Sequence, residues 1–433
     1  MSITLLHATR RPEAALRCQR LWLERAENSA QVQIITCADI DQMHLFSAPT
    51  FGSRVFSRKK NAVAAWNEAA KHATGDILVV LDDDWEPPHG WDEIITSRMG
   101  DGDILKVGDK HRKDELICHP ILTRRLYEKI GYLFHPLFKS VYCDNWFTEQ
   151  ARRLGFVDAS DVEFLHANPS QGYGVEDDVA RVSNSRERYQ QGEAVMERLT
   201  SANTVIGFTC SDRPQYLRET LASWQRTNLA LVTSIHFFIE PTEKLDECKG
   251  VIDAFARSIE VPVIKHLNAA KMGVLRNPWE LFENLFKYQL ADFVILAEDD
   301  FLVSSDVLDF FDRMQANRDP QTLAVCAKWV GEGANLDPGG WHRTNEFTGN
   351  IWGTWADKWK SYLRDTWDFD YSTADESGAG GGWDWNIGLR VAPQNHLHFM
   401  VPTASRSKHI GVTGVHCTEE VFKDTVVHNF LDV

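Results

Sequence analysis

Two runs of three adjacent acids are the residues in this chain best suited to chemistry. Asp82-Asp83-Asp84 follows the apolar stretch Val79-Val80-Leu81, and Glu298-Asp299-Asp300 follows Ile295-Leu296-Ala297. Three like charges in succession repel one another unless a cation lies among them, so each run reads as a divalent-metal site with hard oxygen ligands. Two aspartates farther along have aromatic neighbours: Asp144, before Asn145-Trp146, and Asp384, between Trp383 and Trp385. Aromatic rings exclude water and raise a carboxylate's proton affinity, which suits a general base; a helix cap is the ordinary alternative. His166 and His416 come later still, as candidate metal ligands or as packed or surface imidazoles.

The elements that must position these residues are repeated. The two triplets match at an offset of 216 residues, and the match extends upstream, with Lys60-Asn61 on Arg276-Asn277 and Asp76 on Asp292. One supersecondary unit is therefore used twice. Over 433 residues this predicts two domains, 1–200, including a polar helical linker at about 174–200, and 201–433. Each half opens on an apolar strand, a polar turn ending in Arg-Pro (Arg11-Pro12, Arg213-Pro214) and a helix, and second strands are expected at 31–37 and 234–239. The alternation predicts an α/β class with mostly parallel central sheets. Ligands of such sheets bind beyond the carboxyl ends of the strands, where both triplets fall.

Composition narrows the classes. The net charge of −16 opposes indiscriminate binding to nucleic acid or anionic membrane. Arg58-Lys59-Lys60, the stretch 110–113 and Arg124-Arg125 are local basic clusters, read either as solvated faces or as contacts to phosphates. No apolar run approaches the roughly 18 residues of a spanning helix, and the N-terminus lacks a leader pattern, so a cytoplasmic location without membrane contact is expected. Eight cysteines without a CxxC pair predict free thiols rather than a zinc ribbon or disulfide framework. Eight of the 15 tryptophans fall between Trp329 and Trp385, which predicts either an aromatic core or a carbohydrate-stacking wall, with the neighbouring glycines 378–382 as a flexible loop or lid.

The second half carries TxxDRPxYLxxTLxSW at 209–224, AEDD at 297–300, GTWADKW at 353–359, GWDWNIGLR at 382–390 and PTASRSKHIGVTGVH at 402–416. In that order the blocks resemble the N-acetylglucosaminyltransferase I family and its protein O-mannose N-acetylglucosaminyltransferase relatives. Lys60-Asn61, Ala73-Thr74-Gly75-Asp76, the Asp triplet, Asp144-Asn145-Trp146 and His166 make the first half similar to the broader family-2 type, without the QxxRW block of processive synthases.

The resemblance implies two GT-A domains, Rossmann-like and specific for nucleotide-diphospho-sugars, with metal-dependent inverting chemistry. It implies a UDP-sugar donor and a divalent cation, manganese first and magnesium second. Asp300 would hold the metal, with Glu298 and Asp299 on ribose, sugar hydroxyls or metal-bound water. In the first half Asp84 would hold the metal beside Asp82 and Asp83. Asp384 would be the catalytic base and Asp144 its counterpart. A Lewis acid is needed because the departing nucleoside diphosphate carries growing negative charge. Ser405, Arg406 and Lys408 are candidate phosphate clamps. Further nucleotide contacts are Arg11 (or Arg10), Asp39 and Asn61 in the first half, and Arg213 and Arg276 in the second.

Intact triplets and a candidate base in each half predict two active sites, adding two sugars in sequence to a glycan, a protein or a hydroxylated DNA base. The alternatives are one active domain beside a degenerate acceptor-binding one, or a non-catalytic carbohydrate-binding scaffold. A nucleotidyltransferase would need a Gly-rich entry loop, and neither 7–12 nor 209–214 supplies one.

Overall fold

A computed structural model of the chain describes residues 1–46, 51–167, 172–173, 176–332, 334–373, 381–412 and 429–431. The chain divides into two compact units, Met1–Thr200 and Ser201–Val433.

Unit 1 contains β1 (Ile3–Ala8), β2 (Val32–Asp39), β3 (Ser53–Ser57), β4 (Ile77–Leu81), β5 (Trp85–Glu86), β6 (Ile104–Asp109), β7 (Ile121–Thr123) and β8 (Val157–His166). They form one sheet in the order β3-β2-β1-β4-β7-β6-β8-β5. The first four strands are parallel, β7 runs antiparallel to both β4 and β6, and β8 returns parallel to β6. The buried run Ile77–Leu81 makes β4 central, since a strand covered on both faces has no need of polar alternation. Its carboxyl end delivers Asp82 to the sheet edge.

That end is held by tryptophans. Trp22, from the helix Pro12–Glu24, donates its indole N–H to the Trp85 carbonyl at 2.8 Å, and Trp91 donates to the Trp22 carbonyl at 2.8 Å. All three rings are buried and pack at centroid distances of 5.1 and 4.7 Å around Trp22. The polar stretch before residue 200 forms the helices Asp178–Ser183 and Arg186–Ser201, the second tied to the rest of unit 1 by Gln191 Nε2 donating to the Leu137 carbonyl at 2.8 Å.

Unit 2 contains β9 (Thr204–Cys210), β10 (Ser234–Ile239), β11 (Val263–Leu267), β12 (Phe293–Glu298), β13 (Phe301–Val303), β14 (Thr322–Cys326), β15 (Trp341–Thr344), β16 (Trp352–Trp355), β17 (His398–Pro402) and β18 (Ser407–His409). Its sheet runs β11-β10-β9-β12-β16-β14-β17-β15, with β13 and β18 forming a separate antiparallel pair. Strand for strand, β11-β10-β9-β12-β16-β14-β17 repeats β3-β2-β1-β4-β7-β6-β8 in order and direction.

Tryptophans 329, 352, 355, 359, 367 and 383 are buried, so the cluster is chiefly a core and not a stacking wall. Four indole rings, of Trp352, Trp359, Trp367 and Trp383, pack on one another and on Phe282, with the Trp367 and Trp383 rings stacked at 5.0 Å. Trp385 alone among the eight is 43 % exposed. Most of the 378–382 glycine run lies outside the described residues. The seven cysteines among the described residues are free, and no helix among them is long and apolar enough to cross a membrane.

Candidate active site

In unit 1 every residue selected from the sequence lines one cavity of about 460 Å³: Arg11, Asp39, Asn61, Asp82, Asp83, Asp84, Asp144 and His166. The three acids have different partners. Asp83 points back under the sheet edge, where His7 Nε2 lies 3.0 Å away, the Thr9 hydroxyl donates at 3.0 Å and Arg11 Nη1 donates at 3.2 Å. Arg11 also donates twice to Asp177, at 2.6 Å each, and Asp177 caps the helix Asp178–Ser183 through the Ala180 N–H. Asp83 therefore fastens the turn after β1 to the end of β4, while Asp82 and Asp84 face the cavity.

Asp82 and Asp84 meet two histidines. His119 Nε2 is 3.2 Å from Asp82 Oδ2, and His166 Nε2 is 3.8 Å from Asp84 Oδ1. His166 Nδ1 sits 3.1 Å from Asp109 Oδ2 on the neighbouring strand β6. Burial opposes ionisation of Asp82, but the His119 hydrogen bond and the nearby His119, His166 and His7 charges outweigh it and hold the carboxyl below its ordinary value. Asp84 goes the other way, pushed up to about 6 by burial and then by Asp82. Burial lowers His119, whereas His166 is raised because the Asp109 hydrogen bond and the Asp84, Asp82 and Asp109 charges overcome the burial that opposes them. Two carboxylates and two imidazoles gathered at one sheet edge fit the oxygen and nitrogen donors a divalent cation takes.

Asp39, buried at the end of β2, is raised by burial and steadied by Arg10 Nε at 3.0 Å. Asn61 corrects its expected role in part: its Oδ1 accepts from the Ala64 N–H at 2.8 Å, capping the helix Ala62–Ala70. Asp144 lies in the first turn of the helix Cys143–Leu154, half-buried at the cavity wall, and burial raises its carboxyl.

In unit 2 the middle acid is tied in the same manner. Asp299 accepts from the Ser211 N–H at 3.0 Å and from Arg213 Nη2 at 2.5 Å. Arg213 Nη1 additionally reaches Asp300 Oδ2 at 2.6 Å, and His409 Nε2 lies 3.1 Å from the same oxygen. Asp300 Oδ1 is buried with no hydrogen-bond partner among the described residues, and a Cβ at Gly411 would strike Asp300 Oδ2. An orphaned, buried carboxylate oxygen beside an imidazole fits a divalent ion. Burial, then Asp300 and Asp299, push Glu298 up to about 8, and the Asp384 charge adds to that rise, so Asp384 and Glu298 share one end of the sheet. Asp384 lies on the short helix Gly382–Asn386.

Several expectations for this half need correction. His416 lies outside the described residues. His409, not selected from the sequence, stands at the acids instead. Ser405 is buried and exchanges hydrogen bonds with Trp329 N and O, at 2.8 and 2.7 Å. Arg406 is fully buried, bonded to Asp306 at 3.1 Å and to the Ala404 carbonyl at 2.7 Å, with the Phe310 ring 4.8 Å from its guanidinium carbon. Both side chains are consumed by the fold and are not phosphate clamps. Lys408, on β18, is exposed. Arg276 pairs with Glu280 one turn along its own helix, at 3.1 Å, and not with the triplet.

Residues 46–143 match the family described as Glycosyl transferase family 2. The chain thus carries a glycosyltransferase domain, of GT-A type, and is a glycosyltransferase. The matched segment contains the Asp82–Asp84 triplet and His119 and stops one residue short of Asp144. No curated protein matches the chain. Similar solved structures include S. aureus TarS 1-349 in complex with UDP, at 11 % identity and a TM-score of 0.33, covering 60 % of this chain and 92 % of that one. The same protein with UDP-GlcNAc aligns at 12 % identity and a TM-score of 0.36, covering 67 % and 90 %. The mannosyltransferase PcManGT from Pyrobaculum calidifontis, in complex with GDP-Man and Mn2+, aligns at 14 % identity and a TM-score of 0.31, covering 46 % and 76 %. Similarities this distant say nothing about donor or acceptor.

Proposed function

We infer that the protein is a metal-dependent, inverting glycosyltransferase that moves a sugar from a nucleotide-diphosphate donor to an acceptor hydroxyl, with unit 1 as its principal active site. One observation carries this reading. Asp82, Asp84, His166 and Asp144 converge on one cavity, and the two triplet acids among them lie in the segment matching the glycosyltransferase family. Asp82, Asp84 and His166 would hold the cation, Mn2+ before Mg2+, which when bound neutralises charge on the departing diphosphate. Asp39, at the end of β2, and Arg10, in the turn after β1, suit the nucleoside end of a UDP-sugar, with Asp83 and Arg11 bracing the wall between. Asp144 takes the proton as the acceptor oxygen attacks the anomeric carbon. The new carbon–oxygen bond forms on the face opposite the diphosphate, whose oxygen leaves with the electron pair of the broken bond, and the configuration inverts.

Unit 2 is read as a second site of the same kind, with Asp300 and a histidine for the cation and Asp384 as base, so that two sugars are added in turn. The competing reading, a decayed acceptor-binding domain, is favoured by Arg213, whose guanidinium already compensates both Asp299 and Asp300. Asp84→Ala and Asp300→Ala, assayed separately with several nucleotide-sugars and Mn2+, decide between them. Two distinct partial losses support two active sites; total loss from Asp84→Ala with none from Asp300→Ala supports one. Retained turnover in both would end the proposal. A glycan or protein hydroxyl is the acceptor class, and nothing in the comparisons supports a hydroxylated DNA base.

A further inference from the structure

We propose that His119 is a direct ligand of the unit 1 cation, so that this site presents two imidazoles and prefers a borderline transition-metal ion to Mg2+. This rests on the reading of unit 1 as a metal site and adds to it a ligand and a selectivity.

One donor atom each from Asp82, His119 and His166 lie within 4.8 Å of one another. Donors sharing one ion at about 2.0–2.2 Å must themselves sit roughly 3–3.6 Å apart, and His119 Nε2 is 3.2 Å from Asp82 Oδ2. The two imidazoles are set nearly perpendicular, at 78° with centroids 4.6 Å apart, and their side chains are only 5 % and 6 % exposed.

Each ring is held from behind. Asp109 accepts at His166 Nδ1 at 3.1 Å and turns Nε2 toward the acids, the carboxylate–histidine support typical of metal ligands. His119 lies flat on Trp85, at 4.1 Å and 7°, and Trp85 is itself buried beneath Trp22. The next residue, Pro120, accepts the Val80 N–H at 3.0 Å, pinning this segment to β4 just before the triplet. A histidine buried merely for packing has no need of a carboxylate partner and a second imidazole converging on the same point.

Unit 2 supplies the contrast. The register of β7 on β4 places Ile121 opposite Val79, and that of β16 on β12 places Gly353 opposite Ile295. His119 therefore corresponds to Ile351, a buried apolar residue. Among the described residues, one imidazole, His409, stands at Asp300, where two, His119 and His166, stand at Asp82 and Asp84. Mg2+ favours oxygen donors and keeps its waters, whereas imidazole suits Zn2+, Co2+ and related ions, so the two corners should differ in metal preference.

The test uses the full chain carrying Asp300→Asn, to silence the second triplet, titrated with Co2+ by its visible absorption and with Mg2+ in competition. His119→Asn added to this background should weaken Co2+ about tenfold or more and change its spectrum, while Mg2+ affinity moves far less. Unchanged Co2+ affinity and spectrum in the His119→Asn protein would overturn the ligand assignment yet leave the metal site of unit 1 standing. Absence of any Co2+ binding in the parent would remove both. Should the variant fail to fold, anomalous scattering from Co2+-soaked crystals of the unaltered protein decides. A peak within about 2.3 Å of a His119 ring nitrogen supports the proposal, and a peak at the acids but beyond about 3 Å from that ring rejects it.

Discussion

His166 and His409 occupy the same place in the two units: each is the antiparallel register partner of the residue that follows its acid triplet, Trp85 in one and Phe301 in the other. The pairing carries both imidazoles to the third acid, 3.8 Å from Asp84 and 3.1 Å from Asp300. His409→Ala should therefore weaken Mn2+ binding at the second triplet, and His166→Ala at the first. Electron paramagnetic resonance of free Mn2+ during titration measures both, and a normal isotherm in His409→Ala would show that the equivalence is geometric only.

Asp109 touches no candidate acid, yet it fixes the His166 ring. Replacing it by Asn keeps the shape and weakens the acceptor, and the expected loss in metal affinity is about 10–100-fold. Calorimetry at two or more pH values checks this, with wild-type affinity the outcome that rejects a supporting role.

Burial raises the Asp144 carboxyl above its ordinary value. Its neutral form is favoured by the fold, so the stability it contributes is present at low pH and is lost as pH rises through the raised pKa. The same loss of a proton creates the base. The acid limb of kcat/KM should consequently lie above about 4, the ordinary aspartate value, with rate rising as that increment of stability falls. Asp144→Asn should cost about 10²–10⁴ in turnover and abolish the limb. An unchanged pH profile would remove Asp144 from the chemistry.

Arg406 is expected to matter for folding and not for donor binding. Arg406→Met leaves Asp306 Oδ2 and the Ala404 and Pro338 carbonyls without the guanidinium donor, a loss on the order of 3 kcal/mol, read as a lower urea midpoint. The folded fraction should keep the wild-type KM for donor. A raised KM with unaltered stability would restore the phosphate-clamp role.

Trp22→Ala removes the indole that both donates to Trp85 and packs on Trp91, with a cost of about 3–5 kcal/mol. Chemical denaturation measures it. A loss below about 1 kcal/mol would mean that the β4 terminus is held by other contacts.

The triplets, the Arg-Pro turns and the central strands were legible because each depends on local pattern: an apolar run, a charge cluster, a helix start. Asp82, Asp83 and Asp84 stand out as a charge cluster, whereas Asp144 and His166 stand out only through the resemblance to family-2 enzymes. His119 does neither, since a single histidine ahead of a proline carries no local sign of its stack on Trp85. Ser405 and Arg406 misled for a related reason. A hydroxyl beside a guanidinium looks the same in a sequence whether its partners are phosphates or the protein's own carbonyls. His409 went unselected because only the β13–β18 pairing brings it to the acids.

The arginine after each first strand has a consequence for what approaches from solvent. Because Arg11 and Arg213 each neutralise the middle carboxylate, a diffusing ligand meets a shallower electrostatic well than three formal acids would create. Capture of a cation–diphosphate pair should accordingly depend only weakly on ionic strength, since long-range attraction by either corner is muted before the ligand arrives.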